Sequence, residues 1–445
     1  MKYTFKMGGI HPNDNKIASE APLEVFPVVE TAYISMAQHL GAPATPIVAK
    51  GDTVKVGQVI GEPSGFISGY VHSSVSGTVK DVVPVADLAG NTVMHVVINV
   101  EGDQWMEGID RTDTIKREIE GTTEEILAKI KACGIVGMGG ATFPAHVKLA
   151  PPKDKTAEFL ILNGAECEPY VTADDRLMRE HSEEIIIGAM IMKKVLGNPK
   201  VFIGIEDNKP ASIAAMSAAA KNYDVEVLPL KKKYPQGGEK QLIKAVTGRE
   251  VRSGGLPIEA GAVVQNVATS YAVYQAVQKN RPTIDRAMTV TGQCLSAPKN
   301  LIVRLGTPYS KIIEFVGGLP ADASKVISGG PMMGKAVANL EAATGKGTSC
   351  LLLLTEKQTK RGEESNCIRC GKCSTACPMG LEPYLLNKIA RVGGRYDELE
   401  KERIYDCIEC GCCSFSCPAN IPLLDLIRIN KAEVMKIMRS RPKKD

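Results

Sequence analysis

Net charge of either sign is nearly absent: 54 Lys and Arg face 50 Asp and Glu, leaving +4 over 445 residues. So small an excess gives no basic field of the kind that draws nucleic acid. Long apolar runs are missing too. "CLLLL" is far short of the ~18 residues that cross a bilayer. The start, "MKYTFKMGGIHPND", has no apolar h-region and does not read as a signal peptide. The expected place is therefore the cytoplasm, or the cytoplasmic face of a membrane reached through partners. Histidine is sparse. The six (His11, His39, His72, His95, His146, His181) are scattered and form no catalytic constellation.

Cysteine is present in quantity and is unevenly spread. Nine of thirteen lie between Cys367 and Cys417; Cys133, Cys167, Cys294 and Cys350 stand apart. A secreted disulfide scaffold would be shorter and more evenly stapled, so the cluster reads as a metal site. Its two runs are "CIRCGKCSTACP" and "CIECGCCSFSCP". Each has the C-x2-C-x2-C-x3-C-P spacing of bacterial two-cluster ferredoxins, where the fourth cysteine of one run serves the other cluster. One [4Fe–4S] cluster is thus expected on Cys367, Cys370, Cys373 and Cys417. The other is expected on Cys407, Cys410, Cys413 and Cys377. Aligning the runs sets Lys372 against Cys412, so Cys413 is the ligand and Cys412 an extra thiol. Structural zinc would instead pair two C-x2-C knuckles across a longer gap.

Length suggests roughly three domains as a prior; the patterning divides the chain further. Residues 1–110 carry short Val and Ile runs cut by Gly-Asp and Gly-Gln, as in "VAKGDTVKVGQVIGEP". These predict a β barrel resembling the biotinyl/lipoyl-like hybrid fold, without its cofactor-bearing lysine. Residues 111–282 alternate helical and strand-like segments and predict an α/β domain with a mostly parallel sheet. Residues 283–345 are β-rich and resemble a soluble-ligand-binding β-grasp module, here expected to pack domains together. Residues 355–445 hold the cysteine runs, a helical insert between them and a basic amphipathic tail. The fold class is multidomain α/β and α+β.

The loop "CGIVGMGGATFPAHVKL" fits neither the strict dinucleotide fingerprint nor a P-loop. On its own it is a glycine-rich anion cradle or a plain turn. With "LILNGAECEPYVTADDRLM", "KYPQGGEKQLIKAVTG" and "VVQNVATSYAV" following in order, it resembles the FMN- and NADH-binding subunit of respiratory complex I. That resemblance implies that Gly137, Gly139, Gly140 and Lys148 hold the FMN phosphate and ribityl chain. Asn163, Glu166 and Cys167 line the flavin, and Gln265, Asn266 and Thr269 close over its phosphate. Phe143 stacks on the nicotinamide cofactor, and Glu168 and Glu239 contact it, with Gly237 in the same segment. The pattern departs at Met138 (Arg in that family), Ala165 (Asp), Cys167 (Ser), Gly238 (Glu) and Gln265 (Asn). Glu166 or Glu168 reads equally as a helix-capping carboxylate.

Over essentially its full length, including "GGIHP" near the start, the chain resembles the C subunit of Rnf complexes. The resemblance implies a peripheral subunit that exchanges hydride between NAD(H) and FMN and passes single electrons through two [4Fe–4S] clusters. It implies membrane-embedded and ferredoxin-like partner subunits, an indirect link to ferredoxin, and ion translocation by the complex. The same modules occur in the flavin and iron–sulfur reductase that supplies electrons to cobalamin in diol-degrading microcompartments. A non-catalytic electron-carrying scaffold is the third reading.

Overall fold

The computed structural model describes residues 3–441. The barrel is built from two small sheets. Thr31–Ser35, Thr92–Val100, Gly77–Ala86 and Thr53–Val54 form one; Thr45–Pro46, Val59–Glu62 and Val71–His72 form the other. Alternate residues of Thr31–Ser35 point inward, and Ala32, Ile34, Ile60, Val71, Val79, Val96 and Ile98 close the core.

The α/β domain carries four parallel strands in the order Val225–Leu230, Lys200–Glu206, Phe159–Gly164, Ala262–Asn266. Helices cover the sheet, so Leu160, Ile161 and Leu162 are buried on both faces and the strand reads as a continuous apolar run. The chain moves outward from Phe159–Gly164 through two strands, then returns to its other side with Ala262–Asn266. The strand order therefore reverses between those two strands, and a crevice opens at their carboxyl ends.

The β-grasp module is larger than its expected span of 283–345. Its six-stranded sheet borrows Leu23–Val25 from the N-terminal region and takes Cys350–Thr355 between Asp285–Thr291 and Ala323–Ser328. Burial explains the second addition: Leu351 and Leu353 fill the module's core beneath helix Tyr309–Phe315.

The cysteine runs fold as an internal repeat. Arg369 and Glu409 (φ 55° and 57°) precede Gly371 and Gly411 (φ 72° and 76°) at matching places. Short helices Lys372–Ala376 and Cys412–Phe415 follow, then longer ones starting at Pro383 and Leu423. The tail helix Leu423–Ser440 buries Leu423, Leu424, Ile427 and Val434 and packs on Pro383–Val392 and Tyr396–Lys401. Its apolar stripe thus belongs to the domain core. The last residues of the basic tail, 442–445, lie outside the described residues.

Candidate functional site

The crevice is lined by the ends of the two central strands and by the glycine-rich loop. Helix Thr123–Ala132, started by a Thr122/Glu125 capping box, delivers the chain into that loop. The loop folds back on itself: Gly137 N–H donates to Phe143 O (2.8 Å) and Ala145 N–H to Ile135 O (3.0 Å). Its middle is clamped from two domains. Met138 N–H donates to Thr269 Oγ1 (2.8 Å), and the buried Arg286 of the β-grasp sheet donates to Met138 O (3.2 Å). Gly140 (φ +127°) has open space where a side chain would point, so its backbone faces the crevice uncovered.

Asn163 Nδ2 donates to Gly237 O (2.8 Å), while its Oδ1 accepts from Ala165 N–H (3.1 Å). Gly237 N–H points at Cys167 Sγ (3.4 Å). Lys148 and Glu239 form an ion pair at 2.5 Å. Asn266 caps helix Val267–Lys279 through Ala268 N–H (2.8 Å) and donates to Asp174 (2.6 Å). Gln265 is 3% exposed, and its Nε2 has no protein partner. Uncovered glycine backbone, a lysine and three amides, one of them with an orphaned donor, fit a phosphate-bearing flavin.

Two of the expected side chains already have protein partners. Glu166 (φ 44°) is a helix cap: its carboxylate accepts from Asp174 N–H (2.7 Å) and Asp175 N–H (3.2 Å). Glu168, expected at the nicotinamide, accepts from Met332 N–H (3.0 Å) and Met333 N–H (2.8 Å) of the β-grasp module. Burial pushes the Glu168 carboxyl up to about 7, against the pull of those two N–H groups. The reason for the different partners is domain packing: the "GGPMMG" turn is pressed against the loop, with no room for a Cβ at Gly330.

Several anchoring residues have no sequence signal. Lys16 Nζ gathers the carbonyls of Glu166 (2.8 Å), Glu168 (2.9 Å) and Val171 (2.5 Å). Lys209 Nζ donates to Ala165 O (2.7 Å). Lys346, 1% exposed, donates to Tyr70 O (2.8 Å) and Gly134 O (2.7 Å), joining the barrel to the start of the glycine-rich loop. A lone lysine in a sequence shows none of this, because its acceptors are backbone carbonyls from distant segments.

Cys377, Cys407, Cys410 and Cys413 line one apolar pocket, walled by Met379, Leu381, Leu386 and Ile427. This is the expected second set, and an apolar chamber ringed by four thiols fits an iron–sulfur cube. Cys412 also lines it; its Sγ lies 4.0 Å from Tyr234 O. Cys367 and Cys370 are exposed, and Cys373 and Cys417 are half-buried. Among the described residues no trio of His, Cys, Asp or Glu is arranged to hold a single metal ion; thiols that each cap a different iron stand further apart than that. No described helix is long and apolar enough to cross a membrane.

The inner cysteines adjoin the crevice directly. Ile10, Tyr234, Ala376, Cys410 and Cys412 form one buried cluster, with Cys167, Met332 and Ile408 packed against it.

A crevice of this kind beside paired cysteine runs defines a flavin and iron–sulfur electron-transfer protein, and family models agree. The Nuo51 FMN-binding domain matches residues 130–275 and the RnfC barrel sandwich hybrid domain residues 3–103. The SLBB domain matches 288–336 and the 4Fe-4S dicluster domain 363–421. The C subunit of the proton-translocating ferredoxin:NAD(+) oxidoreductase complex of Clostridium ljungdahlii is 47% identical over 96% of this chain and 93% of its own. The Na(+)-translocating counterpart of Acetobacterium woodii is 45% identical over 97% of both chains. A chain of an NAD+-reducing [NiFe]-hydrogenase matches with TM-score 0.48 at 17% identity, covering 73% of this chain and 67% of that one, too loosely to carry an argument. The chain belongs to the RnfC family, the C subunits of ion-translocating oxidoreductase complexes.

Proposed function

We propose that the chain is the NAD(H)-reactive subunit of a membrane ion-translocating ferredoxin:NAD oxidoreductase, placed peripherally on the cytoplasmic side. The observation that carries this is the buried cluster in which Cys167 and Tyr234 of the crevice pack against Cys410 and Cys412 of the inner cysteine set. A flavin site and an iron–sulfur site share one apolar wall, which excludes water from the gap between them.

Bound FMN would convert a two-electron hydride exchange with NAD(H) into single electrons that two [4Fe–4S] clusters carry. The protein's work is positioning. Lys148 and the backbone at Gly137, Gly139 and Gly140 hold phosphate; Asn163 and Gly237 orient the ring system; Gln265, Asn266 and Thr269 close the phosphate end. Phe143, half-buried at the loop's end, offers a face to the nicotinamide, and Glu239 a carboxylate to its polar groups. Hydride exchange needs no general acid or base among these side chains. Cys377, Cys407, Cys410 and Cys413 hold the inner cluster. Cys367, Cys370, Cys373 and Cys417 hold the outer one, whose exposed cysteines face the membrane-embedded and ferredoxin-like partners.

An anaerobic NADH titration of the purified chain tests the reading. Flavin bleaching followed by absorbance and EPR changes of two clusters is the expected result. Clusters reduced by dithionite but not by NADH, with no flavin released on denaturation, would overturn it and leave an electron-carrying scaffold.

A further inference from the structure

The segment Gly8-Gly9-Ile10 runs between the α/β domain and the ferredoxin-type domain and bonds to both. Gly9 N–H donates to Ala376 O (2.9 Å), next to Cys377. Ile10 exchanges two backbone hydrogen bonds with Tyr234 (2.9 Å each), the residue packed behind Cys167 and Cys412. Earlier in the segment, Lys231 N–H donates to Tyr3 O (2.9 Å), and the Lys233 ammonium sits 4.2 Å from the centre of the buried Phe5 ring.

Both glycines are demanded by this geometry. A Cβ on Gly8 (φ +64°) would lie 2.4 Å from the carbonyl carbon and oxygen of Cys377 and 2.6 Å from Pro378 N. A Cβ on Gly9 (φ +84°) would lie 2.9 Å from Tyr234 O and 2.7 Å from the Lys233 side chain. Gly8 thus faces the inner cysteine set and Gly9 the Lys233–Tyr234 segment of the α/β domain, with bare backbone filling the space between them. Covalently, the ferredoxin-type domain hangs from residues 361–366, all exposed. Domains on such a tether move relative to each other unless their interface is held. Gln241 to Pro378 O (3.2 Å) and Gly254 N–H to Asp406 (3.2 Å) hold it further out.

We propose that Gly8-Gly9-Ile10 is a strap that sets the separation between the flavin crevice and the inner cluster, making Gly8 and Gly9 positioning residues for electron transfer between them. The redox consequence rests on the function proposed above; the mechanical one does not.

The test uses the full chain with its cofactors, prepared anaerobically, as wild type, Gly8→Ala, Gly9→Ala and Gly51→Ala. Gly51 also has positive φ (+94°) but nothing within 4 Å, so it reports backbone strain without displacement. Stopped-flow absorbance follows flavin reduction by NADH and cluster reduction separately, and amide hydrogen exchange follows residues 229–236 and 372–380. Expected for Gly8→Ala and Gly9→Ala are wild-type iron and flavin content and wild-type flavin reduction. Cluster reduction slows severalfold, and exchange accelerates in at least the segment each glycine faces, with Gly51→Ala unchanged in all. Cluster reduction and exchange at wild-type values in both strap variants would overturn the proposal. So would an equal slowing of flavin and cluster reduction. A wild-type protein without NADH-reducible flavin would sink the proposed function, and the exchange data would still decide whether the strap holds the two domains.

Discussion

Asn163 and Asn266 stand opposite each other, in register, at the carboxyl ends of neighbouring parallel strands, and Asn266 Nδ2 reaches 3.4 Å from Asn163 O. One orients the Gly237 turn and the other caps the helix behind the phosphate end of the crevice. Asn266 therefore has two separable jobs. Asn266→Ala removes the cap and should lower stability by about 1 kcal/mol, with loss of bound flavin. Asn266→Ser keeps a capping oxygen and should restore the melting temperature without restoring flavin. Thermal denaturation and released flavin per chain distinguish the two.

The adjacent thiols Cys412 and Cys413 should behave oppositely. Cys413→Ser removes a ligand of the proposed inner cluster, and with two clusters per chain as proposed, iron and acid-labile sulfide should fall by about half. Cys412→Ser should leave both unchanged, since Cys412 sits at the Tyr234 carbonyl and its counterpart in the first run is Lys372. Equal iron loss in both variants would reverse the assignment.

Exposure orders the two proposed clusters by vulnerability. Cys367 and Cys370 are open to solvent, whereas Cys410 and Cys413 are buried. Limited oxidation with ferricyanide and a chelator should remove the outer cluster first, leaving one EPR-active centre that NADH still reduces. Removal of both clusters in a single phase would contradict this order.

Lys346 gives the protein a pH signature. Burial lowers its ammonium from the ordinary 10.5 to about 7. Between those values the unfolded chain binds a proton that the folded chain does not, so this residue adds stability as pH rises from about 7 to about 10.5. Lys346→Met should remove that rise. Urea unfolding midpoints of wild type and variant, compared across the window, check it; the wild type should gain on the variant toward alkaline pH.

Local features are readable from the residues alone. The cysteine spacing needs only short-range geometry, and the repeat between the runs separates Cys412 from Cys413. The alternation of helices and strands and the glycine-rich loop are equally plain. Glu168 is different, because its partners, Met332 and Met333, lie 164 or more residues away and are backbone N–H groups with no side-chain signature. The β-grasp boundary is hidden for a related reason: strand pairing of Leu23–Val25 and Cys350–Thr355 is decided across the fold.

The sequence by itself determined the module order and the spacing of the cysteines, which are written in local patterning; the candidate flavin residues follow from a family resemblance carried by short motifs. Tertiary structure decided which carboxylate caps a helix and which meets another domain, where Lys16, Lys209 and Lys346 bury their side-chain nitrogens, and how Gly8 and Gly9 come to lie between the α/β domain and the inner cysteines. Those outcomes depend on desolvation and on backbone groups brought together from distant segments, and neither leaves a mark on the local sequence.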